Sequence, residues 1–323
     1  MSAPRSSSAT ITVTVPLTAS GQRLDQALAA SLPEYSRSRI QQWMDAGLVW
    51  RGTQSCRRRD KAQGGDQIIL QPPPPAASHH QAQPLTLDVQ FEDDQLIIVN
   101  KPAGLVVHPA AGHRDGTLLN ALLHHHPPLE AIPRCGLVHR LDKDTSGLLA
   151  VAKTLTAHQS LVNQLQQRTM RREYRALVNG VVISGGQIDA PIGRHPVQRK
   201  KMAVVASGRP ALTEYRVLRS YRAHSLLQVK LHTGRTHQIR VHMAHQRYPL
   251  VGDSAYGGRV RLPPNACPEL IAALQQFPRQ ALHAIRLGLS HPISQDALEW
   301  SIPMAPDLQA LLDQLARDVD ERA

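Results

Sequence analysis

The sequence predicts an α+β protein in two parts. A small α/β module spans residues 20–70, and a larger domain spans residues 86–323, built on a mixed, mostly antiparallel sheet with flanking helices. Three observations carry this expectation. Helical apolar periodicity near the N-terminus covers residues 24–44 and is followed by short β-like runs. Later strand-like runs follow one another with few helices between them, which favours antiparallel or mixed pairing over βαβ alternation. Between the two parts lies "QPPPPAASHHQAQPL", residues 71–85, whose four consecutive prolines favour an extended, semi-rigid spacer.

Residues 1–19 read as a polar tail ending in "TITVTVPL", where apolar and polar residues alternate as in a short strand. Leu24, Leu28 and Leu32 recur every fourth residue and mark one face of a helix that Pro33 ends. Ser36 is a suitable cap for a second helix, with Ile40, Trp43 and Met44 on its apolar face and Gly47 at its end. The β-like pieces "LVW" and "QIIL" follow, separated by the basic run Arg57, Arg58, Arg59 and Lys61. With Arg37, Arg39 and Arg51 these cations mark a face suited to phosphates, diluted only slightly by Asp45 and Asp60. In the larger domain, strands are expected at "QLIIVNKP", "CGLVHR", "GLLAVAK", "YRALVNGVV", "ALTEYRVLRSY" and "SLLQVKLHTG". Helices are expected at "GTLLNALLHHH", "TAHQSLVNQLQQR" and "RTHQIRVHMAHQ". No internal repeat is evident, which excludes solenoids and propellers.

The 323-residue chain carries 37 Lys and Arg against 25 Asp and Glu, a net charge of +12 that favours a polyanionic partner such as RNA. Cys56, Cys135 and Cys267 are far apart and odd in number, which fits a reducing compartment and idle or structural thiols. The N-terminus has no apolar signal region and no run approaches membrane-spanning length, so a soluble, cytoplasmic protein without membrane contact is expected. The histidines His124, His125, His126, His237, His242 and His245 lack cysteine or acidic support, so they read as basic surface and no metal is expected.

Chemistry concentrates in "HRLDKDTSGLLAVAK", residues 139–153, where charges sit between two apolar runs. "DKDTSG" is rich in turn formers, and Asp142 then lies on a loop held by a sheet, a common location for a catalytic side chain. A structural role in turn hydrogen bonds explains Asp144 well and Asp142 less well. In "LHTGRTHQIRVHMAHQ" a helix is expected from about Thr236, with Arg240 in its interior beside Ile239 and Val241. Such an arginine calls for a carboxylate in planar, bidentate geometry, and Asp142 is the available one. Tyr174, in "RREYRALV", is one of few aromatics in a chain with three Trp, six Tyr and two Phe. It suits stacking on an extruded base or ordinary packing in a sheet. A glycosidase using Asp142 and Asp144 is disfavoured, because two residues on one turn do not flank a sugar. An aspartic protease needs a second "DTSG"-like turn, which is missing from the sequence.

Residues 20–70 resemble the S4 RNA-binding module in "RLDQALA", "SRSRIQQWMDAGLV" and "GGDQIIL", with Trp50-Arg51-Gly52 in place of the usual Val-Asn-Gly turn. The stretches "HRLDKDTSGLLAVAK", "YRALV" and "GRTHQIRVHMAH" resemble the RluA family of pseudouridine synthases. "KPAGLVVHP", "RHP", "YPLVGDSAYGG" and "ALHAIRLGLSHPIS" extend the likeness to about residues 20–310. The resemblance implies an isomerase that converts uridine to pseudouridine in RNA without cofactor or metal. It implies Asp142 as the catalytic aspartate, Arg240 as its arginine partner, and Tyr174 as the residue against the target base, assisting proton removal. It further implies Arg140 as the residue displacing the target from its stem, Leu282 as an apolar wall, and Lys101 with Pro102 as the pocket floor. Arg37, Arg39, Arg57, Arg58 and Arg59 of the S4-like module are expected on RNA. The implied substrate is a stem-loop of large-subunit ribosomal RNA, free or in a pre-ribosomal particle, met by a monomer. Another ribosomal site or transfer RNA is the alternative, and a non-catalytic RNA-binding protein a weaker one.

Overall fold

The computed structural model describes residues 10–32, 35, 37–72, 80–110 and 112–321, and the chain divides into two compact units, Met1–His79 and His80–Ala323. Pro33 and Ser36, expected to end one helix and begin the next, lie outside the described residues, as do residues 73–79 of the proline-rich stretch.

In the first unit, β1 (Ile11–Thr14), α1 (Leu24–Ser31), α2 (Arg37–Asp45), β2 (Val49–Arg51), β3 (Gln54–Ser55) and β4 (Gln67–Leu70) follow in order. The sheet order is β1-β4-β2-β3, so the N-terminal strand belongs to this sheet rather than to a separate tail. Leu24 and Leu28 of α1, Ile40, Trp43 and Met44 of α2, and Ile68 and Leu70 of β4 form its core. Gly52 takes φ 59° at the β2–β3 turn, a left-handed conformation that glycine adopts without penalty. The sequence reading missed Asp25. Its carboxylate is fully buried and accepts from Arg23 (3.0 Å), Arg37 (2.9 Å) and Gln41. Burial alone would raise its pKa, but these donors outweigh burial and hold it at about 2.

The second unit begins with β5 (Val89–Glu92), β6 (Leu96–Lys101), α3 (Leu118–His125), β7 (Ser146–Ala152), α4 (Leu155–Gln167) and β8 (Arg171–Asn179). It continues with β9 (Gly186–Asp189), β10 (Ile192–Arg194), β11 (Met202–Val204), β12 (Leu212–Ser220), β13 (His224–Leu231) and α5 (Gln238–His245). It ends with α6 (Pro268–Gln276), β14 (Leu282–Ser290), β15 (Ala297–Ser301) and α7 (Pro306–Asp320). Its main sheet runs β5-β6-β7-β14-β8-β13-β12-β9, with β15 paired to β14, and β10 and β11 form a separate hairpin. Only β7 and β14 pair in parallel, so the sheet is mixed and mostly antiparallel. Strands β6 and β7 are near-continuous apolar runs because both faces are covered. Ile97, Val99, Leu149 and Val151 meet α3 on one face, while Leu96, Ile98, Leu148 and Ala150 meet α4 on the other.

Three expectations need correction. "CGLVHR" is not a strand. Arg134, Cys135 and Gly136 take positive φ (53°, 51°, 78°) and wind a 3-10 turn over Pro133–Gly136, after which only Leu137 bridges to Val151. A short apolar run alone cannot distinguish these outcomes. Helix α5 begins at Gln238 rather than Thr236, because His237 is left-handed at φ 57°. The spacer does not reach Leu85 as a free segment. Gln81 accepts from Asn120 (2.8 Å), and Gln83 accepts from Gly116 (2.7 Å) at the start of α3.

Gly147 carries the parallel junction. It has φ +116°, and a Cβ there would lie 2.2 Å from the Ala284 carbonyl oxygen. Gly147→Ala should cost about 2–3 kcal/mol in denaturant unfolding, because backbone rather than a side chain must move. Asp25→Asn should loosen the first unit by about 2 kcal/mol at neutral pH. Because the folded-state pKa is depressed, this contribution is full above 3.8 and lost as pH falls through about 2. Amide exchange in α1, compared between the two proteins across that range, reads both effects.

Candidate active site

Asp142 lies on the segment joining the Pro133–Gly136 turn to β7. The turn it opens is closed by the Thr145 N–H donating to the Asp142 carbonyl at 3.1 Å, so Asp142 rather than Asp144 starts the turn, and Ser146 and Gly147 already belong to the strand. Buried side chains from elsewhere hold this irregular backbone. Lys101 Nζ donates to the carbonyls of Pro102 (2.7 Å), Leu105 (2.9 Å) and Lys143 (2.9 Å). Arg279 donates to the Asp144 carbonyl (3.2 Å), and Gln280 donates to the Thr145 hydroxyl (3.1 Å). Upstream, the Ala150 N–H donates to His139 Nε2 at 3.0 Å, which requires that nitrogen to be unprotonated. Burial, aided by Arg172 and Arg134, pushes the His139 pKa down to about 3, consistent with that role.

The Asp142 carboxylate accepts from Arg240 Nη1 at 3.2 Å through Oδ2, so the expected pair is present. The planar bidentate partner, however, is a residue that sequence reasoning did not assign. Arg240 Nε and Nη2 donate to Asp253 Oδ2 and Oδ1 at 2.7 and 2.8 Å. Asp253 Oδ1 also accepts from the N–H groups of Ala255 (2.9 Å) and Tyr256 (3.0 Å). Burial would raise the Asp253 pKa, but Arg240 and these N–H groups hold it below the usual carboxylate value. Burial likewise disfavours charge on Arg240, and the two aspartates outweigh it, raising its pKa. The signal for Asp253 was within "YPLVGDSAYGG", where an aspartate precedes N–H groups two and three positions on.

His237 adds a further polar group. Its Nδ1 lies 2.8 Å from the Tyr256 hydroxyl, which itself accepts from Met202 N–H at 2.9 Å. The other imidazole nitrogen, Nε2, faces Asp142 Oδ1 at 3.9 Å. The Tyr256 ring also carries the Arg240 guanidinium 5.0 Å from its centroid.

Asp142, Arg240, Tyr174, Leu282 and Arg140 all line one small recess of about 50 Å³. Asp142, Tyr174 and Arg140 also wall a wider cleft of about 550 Å³. Sheet register brings them together: Ala284 pairs with both Gly147 on β7 and Tyr174 on β8. Tyr174 is 5% exposed, and burial raises its phenol pKa, so it is a neutral hydroxyl. Arg140 is exposed at the rim and Leu282 is buried in the wall.

Other expected residues fall elsewhere. Lys101 is fully buried and its ammonium is engaged by three carbonyls, so it positions the Asp142 loop instead of contacting a base. In the first unit, Arg37 is tied to Asp25, and Arg58 to Asp45, so those acids take up more of the cluster than expected. Arg39 lies against Trp43, and Arg57 and Arg59 are exposed. The histidines of α5 are not one basic surface. His242 is buried between the Thr213 hydroxyl (2.8 Å) and the Ala190 carbonyl (2.9 Å), whereas His245 is exposed. Among the described residues, no helix is long and apolar enough to cross a membrane.

Comparison with known proteins bears on the same residues. Residues 95–245 match the family model for RNA pseudouridylate synthase, and residues 22–68 match the S4 domain. The chain is 54% identical over 304 residues to the ribosomal large subunit pseudouridine synthase D of Pseudomonas aeruginosa, covering 94% of this chain and 95% of that one. It is 48% identical to the protein of that name from Escherichia coli K12, covering 96% of each. In structure it is similar to human RNA pseudouridylate synthase domain containing 4, with TM-score 0.55 and 26% identity, covering 71% of this chain and 92% of that one.

Asp253→Asn should cost about 3–5 kcal/mol of stability, because it leaves the buried Arg240 with half its partners. Chemical denaturation of wild type and variant measures this. A loss below about 1 kcal/mol would mean that Asp142 alone holds the guanidinium.

Proposed function

The chain belongs to the RNA pseudouridylate synthase family, and from that premise we propose that it isomerises uridine in a stem-loop of large-subunit ribosomal RNA, with Asp142 as the reacting carboxylate. The substrate follows the two relatives, which are named for the ribosomal large subunit. The observation that carries the assignment of Asp142 is its position where the Arg240–Asp253 pair meets the recess lined by Tyr174 and Leu282.

In the reaction the nitrogen–carbon glycosidic bond of uridine breaks, the uracil turns, and a carbon–carbon bond to the sugar forms; that ring carbon gives up its proton and the freed ring nitrogen gains one, so the product is an isomer of the substrate. Arg240 engages Asp142 Oδ2, which leaves Oδ1 as the oxygen presented to substrate. An oriented carboxylate with one uncommitted oxygen suits nucleophilic attack. The Asp142 side chain is 16% exposed, which leaves it reachable from the cleft, while Asp253 is sealed at 0%. Extruding the base forfeits its stacking in the stem, and contact with the Tyr174 ring offsets part of that loss. We assign Tyr174 this packing role rather than proton removal, because burial disfavours its phenolate. Arg140, at the rim, is suited to occupying the vacated position in the stem. Arg39, Arg57 and Arg59 of the S4 domain supply sequence-independent affinity. The proposal includes action in the cytoplasm, a reducing compartment that three unpaired cysteines suit.

Asp142→Asn should lower pseudouridine formation by at least about 10⁴-fold with RNA affinity retained. Continued formation would remove Asp142 from the reaction. Mapping pseudouridine in total RNA with and without the gene tests the substrate, and an unchanged large-subunit map would refute it.

A further inference from the structure

Among the described residues three arginines are almost completely buried: Arg172 (6% exposed), Arg240 (7%) and Arg279 (5%). Two of them are neutralised in bidentate geometry, Arg240 by Asp253 and Arg279 by Asp307 at 2.6 and 2.8 Å. Arg172 is different. Among the described residues no carboxylate lies within ion-pairing distance of it. Its one hydrogen bond is a long contact of Nη2 with the Leu231 carbonyl, at 3.5 Å, and its Nε has no partner. A buried cation without a counter-charge is destabilising, so its retention calls for a reason outside the folded chain.

Its surroundings supply one. Arg172 precedes Tyr174 by two residues on β8, so both side chains leave the same face of the sheet. Both line the cleft of about 550 Å³ that also exposes Asp142. Gly234 stands against the guanidinium, and a Cβ there would lie 2.9 Å from Arg172 Nη1, so the bare backbone leaves room for the planar group. Arg134, Arg140, Arg168, Arg209 and Arg235 line the same cleft, with Asp142 as its one carboxylate.

We propose that Arg172 is the anchor for a single RNA phosphodiester, the one flanking the target nucleotide at Asp142. The proposal rests on the pseudouridine reading above and assigns a group to it that the reacting cluster does not include. A phosphodiester brings one full negative charge and two oxygens matched to a guanidinium fork. A uracil carbonyl brings only a partial charge and leaves the cation unneutralised. The phosphate accompanies every nucleotide, so this contact fixes register along the strand and carries no base preference.

The test uses the full-length protein, a transcribed stem-loop RNA, and the variants Arg172→Met, which keeps length and packing, and Arg172→Lys, which keeps charge. Binding is measured as a function of salt. Wild type and Arg172→Lys should share a slope of log K against log salt. Arg172→Met should bind about tenfold more weakly at low salt, with a slope shallower by about one phosphate contact. A stem-loop with one uncharged methylphosphonate beside the target uridine should weaken wild type by a similar factor and leave Arg172→Met unaffected. The melting temperature of Arg172→Met should equal or exceed that of wild type, since a buried uncompensated charge has been removed. An unchanged salt slope overturns the proposal, whether affinity falls or not. An unchanged slope with a lowered melting temperature would make Arg172 a structural tie to Leu231. Because these readouts are binding and melting, a wild type that binds the stem-loop but does not modify it would count against the reaction assigned above and leave the phosphate contact to be judged by the slope.

Discussion

One guanidinium shared between two carboxylates organises the site. Arg240 has five N–H donors in a rigid plane, and Asp253 takes the Nε and Nη2 edge while Asp142 meets Nη1. The division is unequal. Asp253 is sealed from solvent and further bound by two backbone N–H groups, so its charge is fully used in orienting the arginine. Asp142 keeps an oxygen free because the arginine is already held by another partner. A lone Arg–Asp pair at this depth would have to orient itself, at the expense of the access that chemistry needs.

The same logic extends to the loop that carries Asp142. An irregular segment inside a protein must find partners for its carbonyls. Here Lys143 and Asp144 give their carbonyls to Lys101 and Arg279, side chains that start from β6 and from just before β14. The charged knot between two apolar runs is therefore not self-contained. Arg140 and Asp142 line the cleft, while the backbone of the knot is bound by buried cations contributed from distant sequence positions.

Much of this was legible beforehand, and the boundary is physical. The paired apolar strands, the amphipathic helices and the Arg240–Asp142 contact each left a local signature of period, composition or an unmatched charge. Asp253 left only a turn pattern, because its burial depends on where β8 and α5 meet. The "CGLVHR" stretch looked like a strand because apolar content does not encode the positive φ of Arg134 and Cys135. Arg37 read as a member of a free basic cluster because sequence proximity does not count an acid brought in by folding, as Asp25 is, and Arg58 did so because the pairing of the nearby Asp45 with it is set only by the fold. The sequence offered Lys101 only as part of a pocket floor, because a lysine at a strand end can point to solvent or inward, and three inward carbonyls decide it.

Why these residues, spread from position 142 to 282, converge follows from strand order. β7, β14 and β8 are neighbours, and β14 joins β7 in parallel and β8 antiparallel. The row Gly147–Ala284–Tyr174 therefore crosses the sheet immediately beside the Asp142 turn. Leu282, two residues before Ala284 on β14, lines the recess together with Tyr174. A larger residue at Gly147 is excluded by the Ala284 backbone, so close strand approach at the β7–β14 junction depends on this glycine. The parallel junction that breaks the otherwise antiparallel order of the sheet is also what sets Asp142 beside Tyr174.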